Sequence, residues 1–120
     1  MKKIHIALII LLLISTKTFA QIEGDVRSRD DNRISKAVII AIDSANNRID
    51  SVMSKEDGFY SFINLKPGIY LIEARARGFE ITQYKNVIAR KKVKNPAVGN
   101  DISNATRLQI VLIPIKKEKQ

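Results

Sequence analysis

The chain has 120 residues, 45% of them hydrophobic and 28% charged, with 21 Lys and Arg against 12 Asp and Glu for a net charge of +9. It contains no Cys, and its one His is His5, inside an apolar N-terminal stretch. That length has room for one domain. No disulfide can staple it. Beyond the N-terminal stretch the chain lacks the imidazole and thiolate used by zinc sites, Ser-His or Cys-His pairs and proton shuttles, which argues against an enzyme.

Residues 1–20 read as a cleavable signal peptide. Lys2 and Lys3 make a basic start, Ile6 to Ile14 is an uninterrupted apolar run, and Thr18-Phe19-Ala20 ends on a small residue. The run is shorter than the roughly 20 apolar residues that a membrane span needs. No Cys follows the expected cut after Ala20, so a lipoprotein is excluded and the product is expected to be periplasmic or secreted, with no stable membrane span. The leader contains three Lys and no acid, which leaves 18 basic and 12 acidic residues, a net charge of +6, from Gln21 onward.

The remaining chain reads as short strands separated by turns. Ile22 to Ser28 is a first strand, and Gly24 in its interior marks a bulge or a close backbone approach. Arg29 to Arg33 is a turn cluster whose Asp and Asn side chains hydrogen-bond nearby backbone; it lacks the ligand spacing of a calcium loop. Ala37 to Ile42 is rich in β-branched residues and predicts a strand buried on much of both faces. Asp43 to Asn47 turns the chain into Arg48 to Ser54, an edge strand guarded by Arg48, Asp50 and Lys55.

The central stretch, Glu56 to Ile72, organises the rest. Lys55 to Gly58 is a turn with Gly at a positive φ. Tyr60 and Phe62 share a face, and Phe59 points the other way. Lys66-Pro67-Gly68 has the residue order of a type II turn, so the segment predicts a β-hairpin. In the second strand Tyr70, Ile72, Ala74 and Ala76 face the core, and Leu71, Glu73, Arg75 and Arg77 lie opposite. Gly78-Phe79 turns the chain into Glu80 to Arg90, a strand interrupted near Lys85-Asn86. Residues 90–105 have no periodicity and read as a long loop. Arg107 to Ile113 resumes alternation with Leu108, Ile110 and Leu112 on one face. Seven short strands at this spacing predict an all-β, seven-stranded, two-sheet antiparallel sandwich over residues 21–115, with a charged tail at 116–120.

The series Gly24-x-Val26, Ala37-x-Ile39, Asp57-Gly58-x-Tyr60-x-Phe62-x-x-Leu65-x-x-Gly68-x-Tyr70 and Gly78-Phe79 resembles the carboxypeptidase regulatory-like domain family. The resemblance implies a transthyretin-like (prealbumin-like) sandwich within a broader carbohydrate-binding-like fold. It implies no catalytic zinc, which in metallocarboxypeptidases belongs to a separate domain. The central segment also resembles B-type repeats of bacterial surface adhesins, some of which form a Lys–Asn isopeptide bond assisted by a buried acid. The matching position here is Ala74, and Glu73 falls on the opposite face of its strand, so no crosslink is expected.

The densest charge is Arg90-Lys91-Lys92 with Lys94, and Lys85 is close in sequence. Such a cluster attracts phosphate and carboxylate, or serves only as a solvated loop. A nucleic-acid partner would call for neighbouring aromatics, and none follows Tyr84. Arg90, Lys91, Lys92 and Lys94 are therefore the candidate contacts for an anionic ligand. No catalytic residue, metal site or cofactor is expected. The expectation is an exported, non-enzymatic module of the bacterial envelope that acts by protein–protein or surface contact. The alternative is glycan binding, for which Phe59 is a candidate stacking ring.

Overall fold

The computed structural model describes residues 19–90 and 105–116, together with the backbone of 93–94 and 101–102. The leader up to residue 18, the outer part of the tail and most of the 90–105 stretch lie outside the described residues. The strands are β1 (Ala20–Ser28), β2 (Val38–Asp43), β3 (Arg48–Met53), β4 (Phe59–Leu65), β5 (Gly68–Arg75), β6 (Thr82–Ala89), β7 (Val93–Lys94), β8 (Asp101–Ile102), β9 (Thr106–Arg107) and β10 (Ile110–Leu112). No helix occurs among the described residues.

Local chemistry sets the turns. The Asp43 carboxylate accepts from the Ala45 and Asn47 amides at 3.1 and 2.8 Å, and Asn46 adopts φ 65°, which closes the β2–β3 hairpin. Gly58 and Gly78 take φ values of 80° and 85°, a region that side chains disfavour. Between β1 and β2, Asp31 has φ 65° and its amide donates to the Ser28 carbonyl.

Two sheets result. One has the order β10-β1-β4, with β9 also on β1; the other runs β3-β2-β5-β6. Among the described residues, β7 and β8 pair only with each other. Alternate residues of both sheets meet in one apolar seam: Ile22, Val26, Tyr60 and Phe62 from the first, Ile39, Tyr70, Ile72 and Ala74 from the second. Tyr60 and Phe62 pack edge to face, with centroids 6.2 Å apart. Both buried tyrosines find partners for their hydroxyls: Tyr60 donates to the Leu108 carbonyl and Tyr70 to the Lys66 carbonyl, each at 2.6 Å. Burial pushes both phenols above their ordinary pKa.

The two-sheet sandwich, the inward face of β5, the edge position of β3 and the irregularity near Lys85-Asn86 agree with the sequence. Four expectations do not. First, the Phe59 to Ile72 segment is no hairpin: β4 belongs to one sheet and β5 to the other, so Lys66-Pro67 carries the chain across the core. Second, Gly68 has no positive φ and opens β5 opposite Ala89, so the type II turn is absent. Burial of Tyr70 and Leu65 on opposite walls of the seam outweighs the local Pro-Gly preference. Third, the sandwich is not wholly antiparallel, because β9 and β10 run parallel to β1, with Ile22 beside Thr106 and Val26 beside Ile110. Fourth, Arg107 to Ile113 is two short strands, parted at Leu108-Gln109.

Ala20, the expected last leader residue, is the buried first residue of β1, paired with Leu65. Leu65, Gly68, Ala89 and Thr106 lie at this same end of the sandwich. The turns at 29–33, 54–58 and 77–80 lie at the other.

Candidate functional site

Gly24 lets the last strands close on the first. A Cβ built there would stand 2.0 Å from the Leu108 carbonyl oxygen, well inside van der Waals contact. Without it, the Leu108 amide donates to the Glu23 carbonyl at 2.9 Å, and the Tyr60 hydroxyl caps the Leu108 carbonyl. The close approach expected at Gly24 is therefore to β9 and its exit.

This places β9 across from β6, an edge strand of the other sheet. The two edges do not pair as strands. The Thr106 hydroxyl donates to the Ile88 carbonyl, and the Tyr84 hydroxyl accepts from the Val111 amide at 3.0 Å. Between these contacts the seam opens into a cleft of about 710 Å³ lined by residues 84–88, Arg90 and 105–108. β6 bulges there: Tyr70 pairs with Val87 but Ile72 with Tyr84, so Lys85 and Asn86 together oppose Leu71, and Asn86 takes φ 59°.

Among the described residues, the lining carries three cations, Lys85, Arg90 and Arg107, and no acid. Arg107 is 87% exposed and approaches Glu23 at 3.9 Å, a long contact across solvent. Among the described residues, neither Lys85 nor Arg90 forms an ion pair. A phosphate, sulfate or carboxylate entering the cleft would meet Lys85 and Arg90, which no described carboxylate engages, and Arg107, held only by its long contact to Glu23.

Of the four residues expected to contact an anion, Arg90 lines this cleft. Lys91 and Lys92 lie outside the described residues, and Lys94 is in β7, where only the backbone is described. Arg107 completes the cationic set. Nothing near it in sequence signals that role, since it reaches Lys85 and Arg90 only through the parallel docking of β9.

A second hollow of about 590 Å³ lies on the outer face of the first sheet, beside Phe59, Asp25, Arg27 and Gln109. Phe59 does point away from the seam, as expected, but it is half-buried, with the Lys55 ammonium 5.7 Å from its ring centroid. The charges there are paired: Arg27 donates to Asp25 at 2.9 and 3.1 Å and to Asp31 at 2.9 Å.

Glu73 is on the outer face of the second sheet, as its position in the strand predicts, yet it is only 6% exposed. Gln83 and Arg75 each donate to its carboxylate at 2.9 Å, on different oxygens. The Gln83 hydrogen bond, followed by Arg75, holds Glu73 below the usual carboxylate range despite burial. Ala74, the crosslink position of the adhesin-like pattern, is in the core. Among the described residues, no group of three His, Cys, Asp or Glu is placed to hold a metal ion.

Residues 21–109 match the family model described as carboxypeptidase regulatory-like domain. Solved structures share the fold at low identity. The major pilin subunit BcpA of Bacillus cereus superposes with a TM-score of 0.62 at 11% identity, over 80% of this chain and 29% of that one. The backbone protein of the group B streptococcus pilus 2b gives 0.52 at 13%, over 80% and 41%. A point mutant of the catechol 1,2 dioxygenase of Acinetobacter radioresistens gives 0.56 at 13%, over 84% and 54%. The chain thus spans well under two thirds of the length of each. No curated protein matches it by sequence.

Proposed function

The chain belongs to the carboxypeptidase regulatory-like domain family, and on that premise we propose that it is an exported, non-enzymatic module of the bacterial envelope that works by contact with an anionic envelope component. The observation that carries this is the convergence of Lys85, Arg90 and Arg107 on one cleft whose described lining has no acid. Export is supported by the leader pattern of residues 1–20 and, as fold-level analogy, by the likeness to pilin subunits. The non-enzymatic reading is supported by residue types: after His5 the chain offers neither imidazole nor thiolate, the usual general bases and nucleophiles. The dioxygenase likeness is one of fold, and function resides in sites rather than folds.

The test is titration with a soluble polycarboxylate such as polygalacturonate, at about 0.1 M and about 1 M salt, where the Debye length falls from about 10 to about 3 Å. Binding should be clear at low salt, fade at high salt and vanish in the triple variant K85A/R90A/R107A. Equal binding by the triple variant would refute the cleft as the contact site.

A second reading, glycan binding, is favoured by one observation: Phe59 borders a hollow that also presents Asp25, Arg27 and Gln109. Neutral-glycan binding abolished by Phe59→Ala and untouched by the double variant K85A/R90A, which leaves Arg107 of that hollow in place, would select it.

A further inference from the structure

We infer that the anionic component is a membrane surface, and that the Ala20 end of the sandwich is the face that docks on it. This rests on the reading of the cleft given above and adds the partner. The inference begins from which side chains that end leaves in water. Ile63 near the end of β4 and Ile69 near the start of β5 are 62% and 53% exposed, on either side of Lys66, which sits in the two-residue crossing between the sheets. Ile49 and Ile88 are also exposed there, from two other strands. Aliphatic side chains from separate strands therefore surround one end, and the cations Lys66, Arg90, Lys85 and Arg107 stand among or just behind them.

Cations outnumber acids at this end: Arg48, Lys66, Lys85, Arg90 and Arg107 stand against Asp43, whose carboxylate is engaged by its own turn, Glu23 beside Arg107, and Asp50 beside Ile49. At the far end Arg29, Arg33, Lys36, Lys55, Arg77 and Lys116 are interspersed with Asp30, Asp31, Glu56, Asp57 and Glu80, so the exposed apolar residues there sit among charges of both signs. A soluble polyanion would use the cations and leave the aliphatics idle. An anionic bilayer uses both: headgroup phosphates reach the cleft, and Ile63 and Ile69 enter the boundary between headgroups and acyl chains. Each cation near such a surface strengthens binding by about fivefold, and desolvating the aliphatics adds an effect that salt does not screen.

The experiment is co-sedimentation of the full chain, as cells process it, with phosphatidylglycerol vesicles and with phosphatidylcholine vesicles, beside titration with polygalacturonate. Three proteins are compared: wild type, K85A/R90A/R107A and I63S/I69S. Both isoleucines lie outside the seam and outside the cleft lining, so I63S/I69S should unfold at the wild-type temperature, which is checked by circular dichroism. Wild type should bind the anionic vesicles and not the neutral ones. The triple variant should bind vesicles on the order of 100-fold more weakly. I63S/I69S should lose about tenfold or more on vesicles and bind polygalacturonate as wild type does. If I63S/I69S binds anionic vesicles as tightly as wild type, or if polygalacturonate binds while the vesicles do not, the membrane inference falls and a soluble or glycan polyanion takes its place. If wild type binds neither probe, the reading of the cleft fails with it.

Discussion

Gly24→Ala tests how the fold holds its last strands. Gly24 has no positive φ, so on backbone grounds alone Ala should stabilise it, by about 0.5–1 kcal/mol relative to Gly in a strand interior. The structure reverses the sign. The new methyl would sit 2.0 Å from the Leu108 oxygen, 2.8 Å from the Leu108 carbonyl carbon and 3.2 Å from the Tyr60 hydroxyl. The first two are backbone atoms, so no side-chain rotation relieves the clash, and the Leu108 backbone must move away from β1. That strains or breaks two hydrogen bonds, Leu108 amide to Glu23 carbonyl and Tyr60 hydroxyl to Leu108 carbonyl, each contributing about 1 kcal/mol. Overpacking adds about 1–3 kcal/mol. Set against the backbone gain, the net loss is about 2–4 kcal/mol, a large share of the roughly 5–15 kcal/mol a domain of this size has.

Urea unfolding followed by circular dichroism reads this directly. With a slope of about 1–3 kcal/mol/M, the midpoint should fall by about 1–2 M without a change in slope. Tyr60→Phe, which removes only the hydroxyl, should lower stability by about 1–2 kcal/mol in the wild type and by less in the Gly24→Ala background, since the bond is already strained there. A Gly24→Ala midpoint at or above wild type, or strict additivity of the two changes, would refute the account.

The remaining predictions concern turns and charge. Gly58→Ala and Gly78→Ala impose similar φ strain, about 1–2 kcal/mol each, but a Cβ at Gly58 also meets the Val26 carbonyl oxygen at 2.7 Å while Gly78 has nothing within 4 Å. Thermal unfolding should therefore show the Gly58 variant clearly below the Gly78 variant; equal melting temperatures would contradict the contact. Because Glu73 has a lowered pKa in the folded state, its contribution is present above the unfolded carboxylate value of about 4.3 and is lost as pH falls through the folded value. Glu73→Gln should be less stable than wild type at neutral pH and lose less stability between about pH 5 and pH 3; parallel pH profiles would show that the carboxylate is not selectively stabilised.

Much of this protein is written in its local sequence. Turns at Asp43 to Asn47, Gly58 and Gly78, and the inward set Tyr60, Phe62, Tyr70 and Ile72, follow from side-chain chemistry and the two-residue period of a strand, which neighbours in sequence settle among themselves. What depends on partners far along the chain was not legible there. Alternation says which face of a strand is buried but not which strand lies beside it or in which direction. So the crossing between β4 and β5, the parallel docking of β9 and β10 on β1 and the burial of Glu73 under Gln83 and Arg75 came only with the tertiary structure. The candidate site divides in the same way: Arg90 stood out as part of a charge run, whereas Arg107 joins it only because Gly24 leaves room for the Leu108 carbonyl. A periodic pattern fixes the orientation of side chains about their own strand; long-range pairing in three dimensions alone decides which charges share a cleft.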